Sequence, residues 1–153
     1  ALPILNDNII NGRIRGIAGV VGCNNARTRH NAGFEVAEEL RRRHGCGPWL
    51  SRPRCELSTL ILGRLVVLAR PLSFMNRSGE VAKELTGELD IDAPGLLVVV
   101  DDVDLPLGSL RLKASGGPGT HNGLRDICGR LGSGRSSRSA SSPPRLQPEE
   151  TEP

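Results

Sequence analysis

Residues able to do chemistry in this chain concentrate between positions 96 and 122, LLVVVDDVDLPLGSLRLKASGGPGTHN. Asp101, Asp102 and Asp104 close an apolar run, Arg111 and Lys113 sit on the next strand-like segment, and a glycine loop leads to His121-Asn122, where a helix opens. Carboxylates at a strand's end, a basic strand and a loop feeding a helix N-terminus make a site for a polar ligand. Two other places join them: Thr28-Arg29-His30-Asn31 just before one helix, and Met75-Asn76 in the loop before another. Taken singly, each has an ordinary reading. A lone imidazole more often serves structure or surface than catalysis, three aspartates equally make a solvated turn, and turns need glycine anyway. Met75-Asn76 alone reads as a turn. The glycine loop lacks the Gly-Lys-Ser/Thr ending of a nucleotide-triphosphate loop, and Gly16-x-x-Gly19-x-x-Gly22 misses the dinucleotide spacing. His44, beside Gly45, suits a helix C-terminus, and His121 suits a backbone anchor.

The elements that must position these groups follow from periodicity. Ile14–Val21 reads as a buried strand, with Gly16 and Gly19 permitting close approach of a neighbour. Asn31–His44 reads as a helix with Asn31 as N-cap; Ala32, Val36 and Leu40 form its stripe, widened by Gly33 and Ala37. Its outer face pairs Glu38 with Arg42 and Glu39 with Arg43 in the favourable order. Leu57–Leu62 and Leu65–Ala69 flank Gly63-Arg64 as a hairpin, and a second helix runs from about Ser78 to Leu89. Leu96–Val100 is a continuous apolar run, as a strand covered on both faces requires, and Ser109–Ala114 a further strand. A last helix starts near His121-Asn122, with Leu124, Ile127, Cys128 and Leu131 on one side. Strands alternating with helices indicate an α/β sandwich, and the hairpin makes its sheet mixed.

Composition bounds the rest. The chain has 153 residues and a formal charge of +3, unevenly spread, with Arg27–Arg54 rich in arginine and Glu80–Asp104 rich in acids. Such asymmetry suits a polyanionic partner on one face, though solvated arginine is commoner. Four cysteines make no C-x-x-C pair and no metal-ligand spacing with the three histidines, so reduced thiols, a cytosol-like compartment and no metal are expected. No apolar run reaches membrane-spanning length and no signal-peptide pattern is visible. Residues 1–13 carry no periodicity or motif. From Gly132 the chain turns to Ser, Pro, Arg and Glu, and 132–153 is predicted to be a disordered tail after a domain at 14–131.

In combination the segments say more. TRHNAGF (Thr28–Phe34), PLSFMNRSG (Pro71–Gly79), VVVDDVDLPLGSLRLK (Val98–Lys113) and GGPGTHNGLRDI (Gly116–Ile127) occur in an order that resembles the bacterial-type peptidyl-tRNA hydrolase family, which cleaves the ester between a peptide and its tRNA. The resemblance covers about Ile14–Leu131. It implies a three-layer α/β/α sandwich with a mixed central sheet, a monomer in the cytoplasm, peptidyl-tRNA as substrate, and neither cofactor nor metal. By motif, His30 is the catalytic histidine and Asp101 its supporting carboxylate. Asn76 and Asn122 position substrate and water, Lys113 belongs to a phosphate clamp, and Phe74 and Met75 line the peptide channel. Asn24 is the counterpart of a further family asparagine. The chemistry is consistent: neutral imidazole deprotonates water near pH 7, and a carboxylate accepting the other ring proton fixes the tautomer.

Three departures from the family stand out. Gly22-Cys23-Asn24-Asn25 replaces a Gly-Asn-Pro-Gly turn, and the spacer to Thr28 is short. Thr120 stands where the loop usually has glycine, so strain of about 1–3 kcal/mol is expected if the loop there needs positive φ. Pro118 replaces a frequent histidine. After Leu131 the family's next strand, second clamp residue and C-terminal helices are expected to be missing, leaving an open sheet edge, aggregation or a completing partner. The competing functional readings are a non-catalytic RNA-binding protein of the same fold and an inactive truncated product.

Overall fold

The computed structural model describes residues 17–20, 32–61, 65–102, 104–106, 109–113, 117–132 and 138–142. Seven strands form one sheet: β1 (Ile17–Val20), β2 (Leu50–Ser51), β3 (Cys55–Ile61), β4 (Leu65–Pro71), β5 (Leu97–Asp101), β6 (Arg111–Lys113) and β7 (Arg138–Ser142). Among the described residues three helices accompany it: α1 (Ala32–Arg43), α2 (Ser78–Glu88) and α3 (Asn122–Leu131), with 3-10 turns at Met75–Arg77 and Ala93–Gly95. The strand order is β2-β3-β4-β1-β5-β7-β6. β1 lies parallel to β4 and β5, and β5 parallel to β7, whereas β2–β3, β3–β4 and β6–β7 are antiparallel. The chain is thus an α/β protein with a mixed sheet.

Alternation along β4 and β5 divides the core in two, because successive strand residues point to opposite faces. Val66, Leu68, Leu97 and Val99 meet Ala37 and Leu40 of α1 on one face. Val67, Ala69, Val98 and Val100 meet Val81 and Leu85 of α2 and Ile127 of α3 on the other. All five residues of β5 are buried, as its unbroken apolar run requires. Each such aliphatic side chain contributes about 1.5–3 kcal/mol. The α1 stripe is centred on Gly33, Ala37 and Leu40, with Val36 only half-buried. Small residues let the helix approach the sheet closely.

Helix α1 is also held from the side. The Arg70 guanidinium lies 4.0 Å over the Trp49 ring and 5.8 Å from that of Phe34, and pairs with Glu38 at 2.9 Å and Glu56 at 3.6 Å. Glu38 also accepts from Arg41 and from the Trp49 indole. The Arg41 and Trp49 hydrogen bonds, aided by the charges of Arg41 and Arg70, hold its carboxyl at about 2 against an ordinary 4.5. Of the two expected pairs on the outer face, Glu39–Arg43 forms at 2.6 Å, while Arg42 pairs with Glu39 instead of Glu38. Much of the arginine-rich stretch is therefore neutralised within the fold.

Three sequence expectations need revision. Residues 138–142 are not a disordered tail but strand β7, registered between β5 and β6 from Leu97↔Arg138 to Asp101↔Ser142. Composition argued from side chains. The edges of β5 and β6 offer backbone partners that polar residues satisfy as well as apolar ones. A strand thus follows α3; residues 133–137 and 143–153 lie outside the described residues. Thr120 escapes the expected strain, since the positive φ of the loop falls on Gly119 at 57°. The short strand β2 was not anticipated: two residues carry no period.

A cleft at the carboxyl end of the central strand

A cleft of about 340 Å³ opens where β5 ends. Its floor holds the buried Val100 and Asp101, and Asp102 and Asp104 line it together with Arg111 and Lys113 from β6. Loop residues Pro118–Asn122, Leu124 of α3 and Met75 complete it. This is where open α/β sheets place ligands.

Asp101 is only 4% exposed, and its Oδ1 accepts the Ala32 backbone N–H at 3.0 Å. A carboxylate so buried needs donors; here one is an unpaired amide at the start of α1, where the helix dipole also favours negative charge. Sixty-nine positions separate the partners in sequence. Beside Asp101, Asp102 Oδ1 accepts the Asp104 N–H at 3.1 Å, folding the turn that the aspartates suggested. Arg111 pairs with Asp102, 3.8 Å from its Oδ2, and Lys113 makes no ion pair among the described residues.

The loop-to-helix junction is built by its own side chains. His121 is the N-cap of α3, its Nδ1 accepting the Leu124 N–H at 3.2 Å, the anchor role expected of it. That acceptor is the unprotonated nitrogen of a neutral ring. Arg125 donates to Asn122 Oδ1 at 3.2 Å and to the Gly119 carbonyl at 3.1 Å. These bonds fix the Asn122 side chain by its oxygen. The sequence signal for Arg125 is its three-residue spacing from Asn122 on one helix face.

Of the expected site residues, Asp101, Met75, Lys113 and Asn122 line this cleft together. Phe74 and Asn76 do not line it: both are exposed beside Met75, Phe74 at 78%, at the 3-10 turn that opens α2. His30, Asn24 and the expected cap Asn31 lie outside the described residues. Asp102, Asp104, Arg111 and the Pro118–His121 loop complete the lining. The described cysteines take no part in it: burial pushes the thiols of Cys46, Cys55 and Cys128 up, away from the reactive thiolate. Among the described residues no group of His, Cys, Asp and Glu is arranged to hold a metal ion, and no helix is long and apolar enough to cross a membrane.

Comparison with known proteins identifies the family. The family model described as peptidyl-tRNA hydrolase matches residues 19–140. The peptidyl-tRNA hydrolase of Rubrobacter xylanophilus is 46% identical over 117 residues, covering 76% of this chain and 64% of the relative. That of Roseiflexus castenholzii is 47% identical over 121 residues, covering 74% and 56%. The crystal structure of peptidyl-tRNA hydrolase from Acinetobacter baumannii superposes with a TM-score of 0.76 at 32% identity, covering 90% of this chain and 72% of that one. The chain belongs to the peptidyl-tRNA hydrolase family. It spans somewhat under two thirds of the length of these sequence relatives.

Proposed function

We propose that this chain hydrolyses the ester bond between peptide and tRNA in peptidyl-tRNA, releasing tRNA for reuse in translation in the cytoplasm, with His30 as general base and Asp101 as its support. The observation that carries the reading is the Asp101–Ala32 contact. Residue 30 is two positions from Ala32, and two residues span at most about 7 Å of extended chain. The buried carboxylate thus meets the chain two positions after His30 in sequence. The two helix-bearing core faces equally support the three-layer α/β/α form.

In this reading, His30 takes a proton from water as the water oxygen attacks the ester carbonyl carbon. Asp101 holds the ring in the tautomer that leaves the attacking nitrogen bare, and stabilises the imidazolium. When the tetrahedral intermediate collapses, the bond to the tRNA ribose oxygen breaks and that oxygen receives the proton from the imidazolium. Free tRNA and a peptide acid result. Asn122, oriented by Arg125, donates to a substrate carbonyl; one well-aimed donor to developing charge is worth about 3 kcal/mol. Asn76 and Asn24 are assigned to substrate positioning, and Phe74 and Met75 to the peptide. Lys113 on β6 takes a tRNA phosphate. The test is hydrolysis of N-acetylaminoacyl-tRNA by the parent chain and by His30→Ala. Loss of turnover with retained tRNA binding supports the assignment, and an equally fast variant refutes it.

A further inference from the structure

Helix α2 starts without a cap of its own. Its N-cap position, Arg77, makes no side-chain capping hydrogen bond. The first-turn amide of Gly79 is instead taken by a different helix: Asp126 Oδ2 of α3 accepts it at 2.7 Å across 47 sequence positions. A carboxylate at a helix N-terminus with a short, charge-assisted bond is a strong tie. The two backbones are in close contact there, since a Cβ on Gly79 would lie 2.5 Å from the Asp126 carbonyl oxygen. Arg130 holds the other carboxylate oxygen at 2.9 Å and so fixes the side chain's direction.

The tie connects the two asparagine-bearing segments of the site. Asn76 sits in the 3-10 turn that runs directly into α2, three residues before Gly79. Asn122 is the first residue of α3, four residues and hence one helical turn before Asp126. We infer that Asp126 is a positioning residue: through Gly79 it sets the separation of Asn76 and Asn122, and so the alignment of the peptidyl ester over the cleft floor. This rests on the hydrolase reading above.

The experiment compares Asp126→Ala, Asp126→Asn, Gly79→Ala and the Gly79→Ala/Asp126→Ala double variant in the full chain. Hydrolysis of N-acetylaminoacyl-tRNA is normalised to the folded fraction from urea unfolding. Misalignment of reacting groups by about 1 Å costs up to ~100-fold, so Asp126→Ala and Gly79→Ala should each lower kcat by about 10- to 100-fold. Binding of deacylated tRNA should stay unchanged. Asp126→Asn, which keeps an acceptor for the Gly79 amide, should recover most of the rate, and the double variant should be no worse than the poorer single one. Turnover per folded molecule within about twofold of the parent in Asp126→Ala, or multiplicative losses in the double variant, would overturn the inference. If the parent chain itself shows no turnover, the functional reading fails, and the positioning claim is decided by the side-chain amide NMR signals of Asn76 and Asn122. Joint movement in Asp126→Ala but not Asp126→Asn supports it; unmoved signals overturn it.

Discussion

Replacing Asp101 with Asn separates what this buried carboxylate does for the fold from what it does for the reaction. The carboxamide has nearly the same shape and still offers an oxygen to the Ala32 amide, now 3.0 Å away. A hydrogen bond to a charged group contributes about 1.5–3 kcal/mol and a neutral one about 0.5–1.5, so the swap costs roughly 1–1.5 kcal/mol. Losing the charge at the α1 N-terminus adds about 0.3–1 kcal/mol. The sum, roughly 1.5–2.5 kcal/mol, leaves a domain with a typical stability of about 5–15 kcal/mol folded. Catalysis should suffer far more. A support that fixes the tautomer and stabilises the imidazolium is worth up to about 10⁴ in kcat, equivalent to about 5 kcal/mol. Urea unfolding should therefore show a modestly lowered midpoint with an unchanged slope, while hydrolysis of N-acetylaminoacyl-tRNA falls by about 10³- to 10⁴-fold. A variant that is destabilised as stated yet retains turnover within about threefold would show that Asp101 only caps α1, and the His30–Asp101 mechanism would be wrong.

Two other outcomes follow from the charges. Lys113→Ala should weaken deacylated tRNA binding and reduce the slope of log K against log salt by about 1; an unchanged slope would remove Lys113 from the phosphate contacts. Glu38, whose carboxyl is held at about 2, has a folded-state value below its ordinary 4.5, so its stabilisation is complete above the ordinary value and lost as pH falls toward 2. With its side chain 40% exposed, the network is discounted for solvent screening to about 1 kcal/mol. The urea midpoints of the parent and Glu38→Gln should accordingly differ at neutral pH and converge between pH 4.5 and about 2. A gap that persists throughout would contradict the assignment.

Much of this architecture was legible in the chain because periodicity reports burial. The apolar run at β5, the stripes of α2 and α3 and the hairpin of β3 and β4 appear close to where spacing put them. Asp101, Lys113 and Asn122 could be named because strand ends and helix starts converge at one end of such a sheet. What escaped notice depends on distant partners. Strand β7 exists because two neighbouring ladders offer it hydrogen bonds, which composition does not record. Asp126 reads as a surface acid of α3 until the uncapped start of α2 is laid against it. Arg70 looks like any strand arginine, and only the fold sets it over Trp49.

The sheet order has a mechanical corollary. β6, with Arg111 and Lys113, is an edge strand joined to the sheet through β7, and β7 spells Arg-Ser-Ala-Ser-Ser. The cationic residues of the cleft therefore reach the central strand through the main-chain ladders of β7, with the Arg111–Asp102 pair as a second link. Asp101 is welded into the aliphatic interior by β5. A polyanion gripping Arg111 and Lys113 while another part of it reaches Asn122 would span from the edge of the sheet to the start of α3.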